Sequence, residues 1–154
     1  MSRLAFLSPH EADVAGVSPL RHVLSPAFTD VSQLGKLEVR GDVAGLDAIP
    51  LGPGRALVVL EGDVLVERDR LVDRGYRVYD MTAALAALEV EGEDLMRRLT
   101  ELDLDALPAI GSIARGTTAL IERLDGERFR LFVPQELGQF VAEVVNDMAR
   151  GIGR

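Results

Sequence analysis

Two aspartates in this chain stand where chemistry is possible. Asp30-Val-Ser and Asp80-Met-Thr each place a carboxylate two residues ahead of a hydroxyl, and each leads on to Leu-Glu-Val and then a glycine. Such a pair can hold an N–H of a ligand. It can equally accept a backbone N–H two residues on and fix a turn at a strand end. The remaining candidates are sparse. His10 and His22 are isolated in a proline-containing segment, with no partner at metal-ligand spacing. No serine sits in a nucleophile elbow. The absence of cysteine excludes disulfides, thiolate metal sites and a cysteine nucleophile. Gly52-Pro-Gly54 precedes a strand pattern, whereas phosphate-cradling loops open helices, so it reads as a turn. Glu93-Asp94 suits the positive first turn of a helix.

The elements that must position these residues come in two sets. The first copy runs from Asp30 to Gly41 and the second from Asp80 to Gly92, with one extra residue, and their starts lie 50 residues apart in a chain of 154. One duplicated unit therefore accounts for most of the chain. The expected organisation is a single domain, 1–154, of two pseudo-repeats at about 27–75 and 76–150, with an N-terminal segment 1–26 contributing a strand at Leu4 to Leu7. Within that segment, Pro19 to Leu24 suggests a turn of helix.

In the first repeat, strands are expected at Ala27 to Ser32 and Lys36 to Arg40. Lys36, Glu38 and Arg40 alternate there with Leu37 and Val39, the period of a half-buried strand. A weak helix from Gly41-Asp42 to about Ala48 follows. Next come a hairpin pairing Ala56 to Leu60 with Val64 to Glu67, and a short helix from Arg68 to Arg74. The second repeat offers strands at Arg77 to Thr82 and Ala86 to Glu91, a helix from Glu93 to about Leu102, and a loop holding Pro108 and Gly111. A hairpin of Thr117 to Leu124 with Arg128 to Val133 precedes a last helix, whose apolar stripe is Leu137, Phe140, Val141, Val144, Val145 and Met148. The fold class is α+β: duplicated strand-strand-helix-hairpin-helix units, largely antiparallel sheets, and helices packed on one side.

Composition narrows the partners. A net charge of -8 argues against a nucleic-acid backbone, whose binding needs clustered Lys and Arg. No apolar run reaches the ~20 residues that span a bilayer, so no membrane partner is expected and the cytoplasm is the expected location. Sixteen of the seventeen basic residues are Arg; Lys36 is the single lysine.

The string F-T-D-V-S-Q-L-G-K-L-E-V-R-G-D, Phe28 to Asp42, resembles the strand pair in the folate-binding domain of the glycine-cleavage T-protein, an aminomethyltransferase. The second copy resembles it at greater length, through Asp80-Met81-Thr82, L-E-V-E-G-E-D-L-M-R-R-L-T, L-D-L-D-A-L and L-I-E-R-L-D-G-E-R-F-R-L-F-V-P. The chain is also similar to the gamma subunit of heterotetrameric sarcosine oxidase, with Ser18-Pro19-Leu20 near the start and Leu102-Asp103-Leu104 after the helix. The likeness covers residues 17–148. It implies a folate-binding-domain fold with a third strand in each unit and first strands exchanged between halves.

In the aminomethyltransferases, a loop before the L-x-x-x-R-L segment carries the acid that acts beside the folate. The corresponding stretch here, Pro108 to Leu124, has no acidic residue before Glu122, which falls inside an expected strand. Positioning an amine for transfer needs a carboxylate within hydrogen-bond reach. No catalytic and no metal-binding residue is therefore assigned. Three positions remain as ligand candidates: Arg115 for the glutamate tail of a folate, and Asp30 and Asp80 for a pterin edge. The resemblance implies a non-catalytic subunit in one-carbon metabolism that docks on larger alpha- and beta-type oxidase subunits or self-associates, and holds no cofactor firmly. The alternative is a stand-alone, aminomethyltransferase-like protein that binds tetrahydrofolate.

Overall fold

The computed structural model describes residues 17–152; the expected strand at Leu4 to Leu7 and His10 lie outside them. In chain order the strands are β1 (Phe28–Asp30), β2 (Gly35–Arg40), β3 (Ile49–Gly52), β4 (Arg55–Leu60), β5 (Arg77–Asp80), β6 (Leu85–Glu91), β7 (Ala109–Ile113), β8 (Thr117–Asp125) and β9 (Arg128–Pro134). The helices are α1 (Val64–Asp73), α2 (Glu93–Leu99) and α3 (Gly138–Arg150). Every ladder is antiparallel. One sheet has the order β1-β6-β9-β8-β7 and the other β3-β4-β2-β5. The order departs from the chain at two places. β1 sits on the sheet of the later strands, and β5 on the sheet of the earlier ones.

The two sheets face each other. On the larger sheet, Leu88 and Val90 of β6, Leu131 and Val133 of β9, and Ile121 of β8 point to α2 and α3, where they bury Leu95, Met96, Val141 and Val145. Their neighbours along the same strands, Ala87, Leu120 and Phe132, point the other way and meet Ile49 and Leu57 of the smaller sheet. On the smaller sheet, Leu37 and Val39 of β2 turn outward to Leu71 of α1. The period-2 alternation of each strand thus divides its side chains between a helix-facing core and an inter-sheet core. Helices cover the outer face of both sheets, which corrects the expectation of helices on one side.

Four further expectations are corrected. β2 is buried on both faces, with Lys36 and Glu38 as well as Leu37 and Val39 below a tenth exposed, because its polar side faces the second sheet. Val64 to Glu67 is the first turn of α1, not a returning strand. Asp63 is its N-cap, with the carboxylate accepting N–H bonds from Leu65 and Val66 at 2.8 and 3.2 Å. The hairpin partner of β4 is β3, joined through the Pro53-Gly54 turn. No helix forms over residues 42–48. Gly45 adopts a positive φ of 80°, and the chain has only residues 41–48 in which to return from β2 to the sheet edge. The loop around Gly111 is β7, an edge strand on β8.

Both glycines of the repeated Leu-Glu-Val-x-Gly string have positive φ, 143° at Gly41 and 107° at Gly92. A side chain would be strained at either, so the chain leaves β2 and β6 through a glycine in both cases. Gly92 then serves as N-cap of α2, whereas no helix follows Gly41.

A candidate ligand cleft between the exchanged strands

Asp30 and Asp80 occupy matching places where the first strands cross over. Asp30 Oδ1 accepts the N–H of Ser32 at 3.0 Å, and Asp80 Oδ1 accepts that of Thr82 at 2.9 Å. Each intervening residue extends the pairing of its strand, Val31 N–H to the Ala87 carbonyl of β6 at 3.0 Å and Met81 N–H to the Lys36 carbonyl of β2 at 2.8 Å. Each hydroxyl then accepts from the residue just contacted: Ala87 N–H to Ser32 Oγ at 3.1 Å, Lys36 N–H to Thr82 Oγ1 at 3.1 Å. The ladders match too, Asp30 opposite Leu88 and Asp80 opposite Leu37. The spacing Asp-x-Ser/Thr is what this geometry needs: a carboxylate to turn the chain and a short hydroxyl to cap the neighbouring strand.

The correspondence breaks at one pair, Lys36 against Ala87. Lys36 is fully buried. Its Nζ donates to the carbonyls of Ser32 at 2.7 Å, Leu34 at 2.8 Å and Thr82 at 3.2 Å, which uses all three protons. Burial pushes the ammonium down to about 8, against the opposing pull of the Asp80 and Asp30 carboxylates. The chain's one lysine therefore clamps both crossover steps from behind. The alternation of its strand alone did not separate it from an exposed residue.

In front of the clamp lies a cleft of about 700 Å³, lined by Ser18, Ser32, Gln33, Asp80, Thr82 and Gln135 among others. The Ser18 hydroxyl, which accepts the Leu20 N–H at 3.0 Å, donates to Asp30 Oδ2. The structure thus gathers the two aspartate steps around one cleft. Arg115 falls elsewhere, in the single 3-10 turn between β7 and β8, where Ala114 and Gly116 line a separate cleft with the end of α2. His22 is exposed and accepts from Arg21 Nε at 3.0 Å. Among the described residues, no group of three acidic or histidine side chains could hold a metal ion.

The cleft can orient a polar molecule. It offers one exposed carboxylate, hydroxyls and two amides, with the nearby ammonium already spent. Glu122, the acid of the Pro108 to Leu124 stretch, lies on the inter-sheet face of β8. It bonds Arg130 at 2.9 Å, and Arg130 also holds Glu89 at 2.7 Å. Burial pushes the Glu122 carboxyl up, with Arg130 opposing and Glu89 adding to the rise. Glu38, at the place in the first Leu-Glu-Val that Glu89 has in the second, binds Arg40 and Arg55 at 2.7 and 3.0 Å. Burial works to raise the Glu38 carboxyl, but those two guanidinium groups outweigh it and hold it below its usual range. These are paired structural charges.

Comparison with known proteins gives one kind of match. No protein-family model matches the sequence, and no curated protein is significantly similar to it. Among solved structures, a chain of the heterotetrameric sarcosine oxidase from Corynebacterium sp. U-96, in complex with pyrrole 2-carboxylate, has the same fold. The TM-score is 0.70 at 16% identity, over 90% of this chain and 96% of that one. The likeness runs almost end to end in both chains. No helix among the described residues is long and apolar enough to cross a membrane.

Proposed function

We propose that this chain is a non-catalytic subunit that docks onto larger flavin- and folate-holding subunits of an oxidase, in the manner of the gamma subunit of heterotetrameric sarcosine oxidase, within cytoplasmic one-carbon metabolism. The observation that carries the reading is the fold shared with a similarly sized chain of a heterotetramer. The cleft adds support, because its buried ammonium is consumed by carbonyls and, among the described residues, no second ionisable side chain lines it beside Asp80. The bond-for-bond correspondence of the crossover steps supports an origin of the two halves by duplication of one folate-binding-type unit. Co-expression with alpha- and beta-type subunits of a heterotetrameric sarcosine oxidase, followed by gel filtration at micromolar concentration, tests the reading. Co-elution in a stable complex is expected; separate elution removes it.

The cleft itself favours a second reading, a stand-alone tetrahydrofolate binder in which Asp80 meets the pterin edge. A ligand at 100 times its dissociation constant stabilises the folded state by roughly 2.7 kcal/mol, a rise of roughly 5–10 °C in melting temperature for a chain of this size. A thermal-shift series with tetrahydrofolate that shows no movement rejects it.

A further inference from the structure

β4 is an incompletely paired strand. It pairs with β2 along all six residues, Arg55 to Leu60, but with β3 only from Arg55 to Leu57. Among the described residues, Val58 to Leu60 have no ladder partner on that side. The other sheet shows what belongs there. Lys36 pairs with Val59 as Ala87 pairs with Phe132, so Val59 corresponds to Phe132 of β9. Phe132 and Leu131 are paired on their far side by Leu120 and Ile121 of β8. Read as β5-β2-β4-β3, the smaller sheet repeats the order β1-β6-β9-β8, but among the described residues it lacks that stretch of strand.

The gap is a groove of about 460 Å³ running along the edge. Val58, Val59 and Leu60 line it from the sheet, and Val66 of α1, 65% exposed, lines it from the helix. No proline or charge interrupts Val58 to Leu60, so neither of those two devices blunts this stretch of edge against another strand. The charged rim is acidic, with Asp47, Asp63 and Glu67 against Arg70, which is itself 3.5 Å from Glu67. That rim disfavours a second copy of the same edge and favours a basic occupant.

We propose that this groove receives an extended segment of a larger partner subunit, with Lys or Arg among alternating apolar residues, added as a strand beside Val58 to Leu60. The inference rests on the subunit reading above. Main-chain bonds to the open half of β4 supply the pairing, and Val66 with the β4 side chains supplies an apolar wall. The test is amide hydrogen exchange on the full chain alone and in its co-purified complex, with Val66→Asp as the variant. In the antiparallel ladder the Val58 and Leu60 N–H groups turn to β2 and that of Val59 turns to the groove, so the Val59 amide should exchange fast in the isolated chain and at least about tenfold slower in the complex. Val66→Asp should weaken assembly at least about tenfold while leaving the melting temperature of the isolated chain unchanged, since the side chain is exposed and an acid suits the first turn of a helix. Protection of the Val59 amide in the isolated chain would overturn the proposal and assign the groove to the chain's own residues. A complex that forms with the Val59 amide still open, or that tolerates Val66→Asp, would overturn it while leaving the subunit reading intact. Failure to enter any complex would remove both.

Discussion

Lys36→Met is the sharpest perturbation of the crossover. The substitution keeps an unbranched side chain one heavy atom shorter and removes the charge. Three buried carbonyls then lose their donor, at about 1–3 kcal/mol each where water cannot replace it. Two of them, on Ser32 and Thr82, belong to residues lining the cleft, so water can recover part of that loss. The variant also escapes the cost of burying an ammonium. A lysine lowered from 10.5 to about 8 pays about 3 kcal/mol for its charge in the folded state, at 1.36 kcal/mol per pH unit. The donors outweigh that saving, and the expected loss at pH 7 is about 2 kcal/mol.

The pH dependence separates the two contributions. Between pH 8 and 10.5 the unfolded chain holds the lysine proton and the folded chain has released it, so wild-type stability rises with pH across that window. The variant has no such group. The gap between wild type and Lys36→Met should therefore widen above pH 8, by about 2 kcal/mol at pH 9.5. Urea denaturation at pH 7 and 9.5 measures it. Because Lys36 is the only lysine, 13C labelling of lysine gives one Cε signal whose midpoint reads the ionisation directly. A midpoint near 10.5, or a gap that stays flat or narrows, would refute the account of the clamp.

Two other substitutions probe the packing around the site. Arg130→Met leaves Glu89 and Glu122 facing each other with side chains only 20% and 16% exposed, and should cost about 3 kcal/mol by urea denaturation at pH 7. Burial already raises the Glu122 carboxyl, so the deficit should shrink as the pH falls towards 4, and Glu122→Gln in the same background should recover part of it at pH 7. Gly138→Ala would gain up to about 1 kcal/mol of helix propensity. The added Cβ, however, would sit 2.8 Å from the Ala86 Cβ and 3.1 Å from Leu20 Cδ2. Overpacking costs about 1–3 kcal/mol, so a net loss of about 1 kcal/mol is expected from the shift in the urea midpoint, and a stabilised variant would contradict the close approach of α3 to β6.

Much of this fold was legible because period and punctuation are local properties. The alternation in β6 and β9, the Asp125-Gly126 turn and the apolar stripe of α3 each announce themselves within a dozen residues. The Asp-x-Ser/Thr and Leu-Glu-Val-x-Gly strings were legible as a repeat for the same reason. Each half meets the same local demands, a turned strand end, a capped neighbour and a glycine exit. The failures share a different cause. Val64 to Glu67 has a strand's composition and became the first turn of α1, because Asp63 caps it and Leu71, further along the helix, packs on Leu37 and Val39. That contact joins residues more than 30 positions apart. Lys36 read as the solvent side of an amphipathic strand, and the strand's polar side turned out to face a second sheet. Whether an alternating strand looks onto water or onto another sheet depends on how the two sheets pack, which no short window contains. The same reasoning explains why the cleft escaped notice. Its residues come from the entry to β1, from both crossover steps and from the turn after β9, four stretches brought together only by the exchange of first strands. A repeat read from sequence therefore reports the demands that each half meets alone. Lys36 and Ala87 differ because they sit where the halves meet, and an asymmetric pair at a matched position is the sequence signal that would have pointed there.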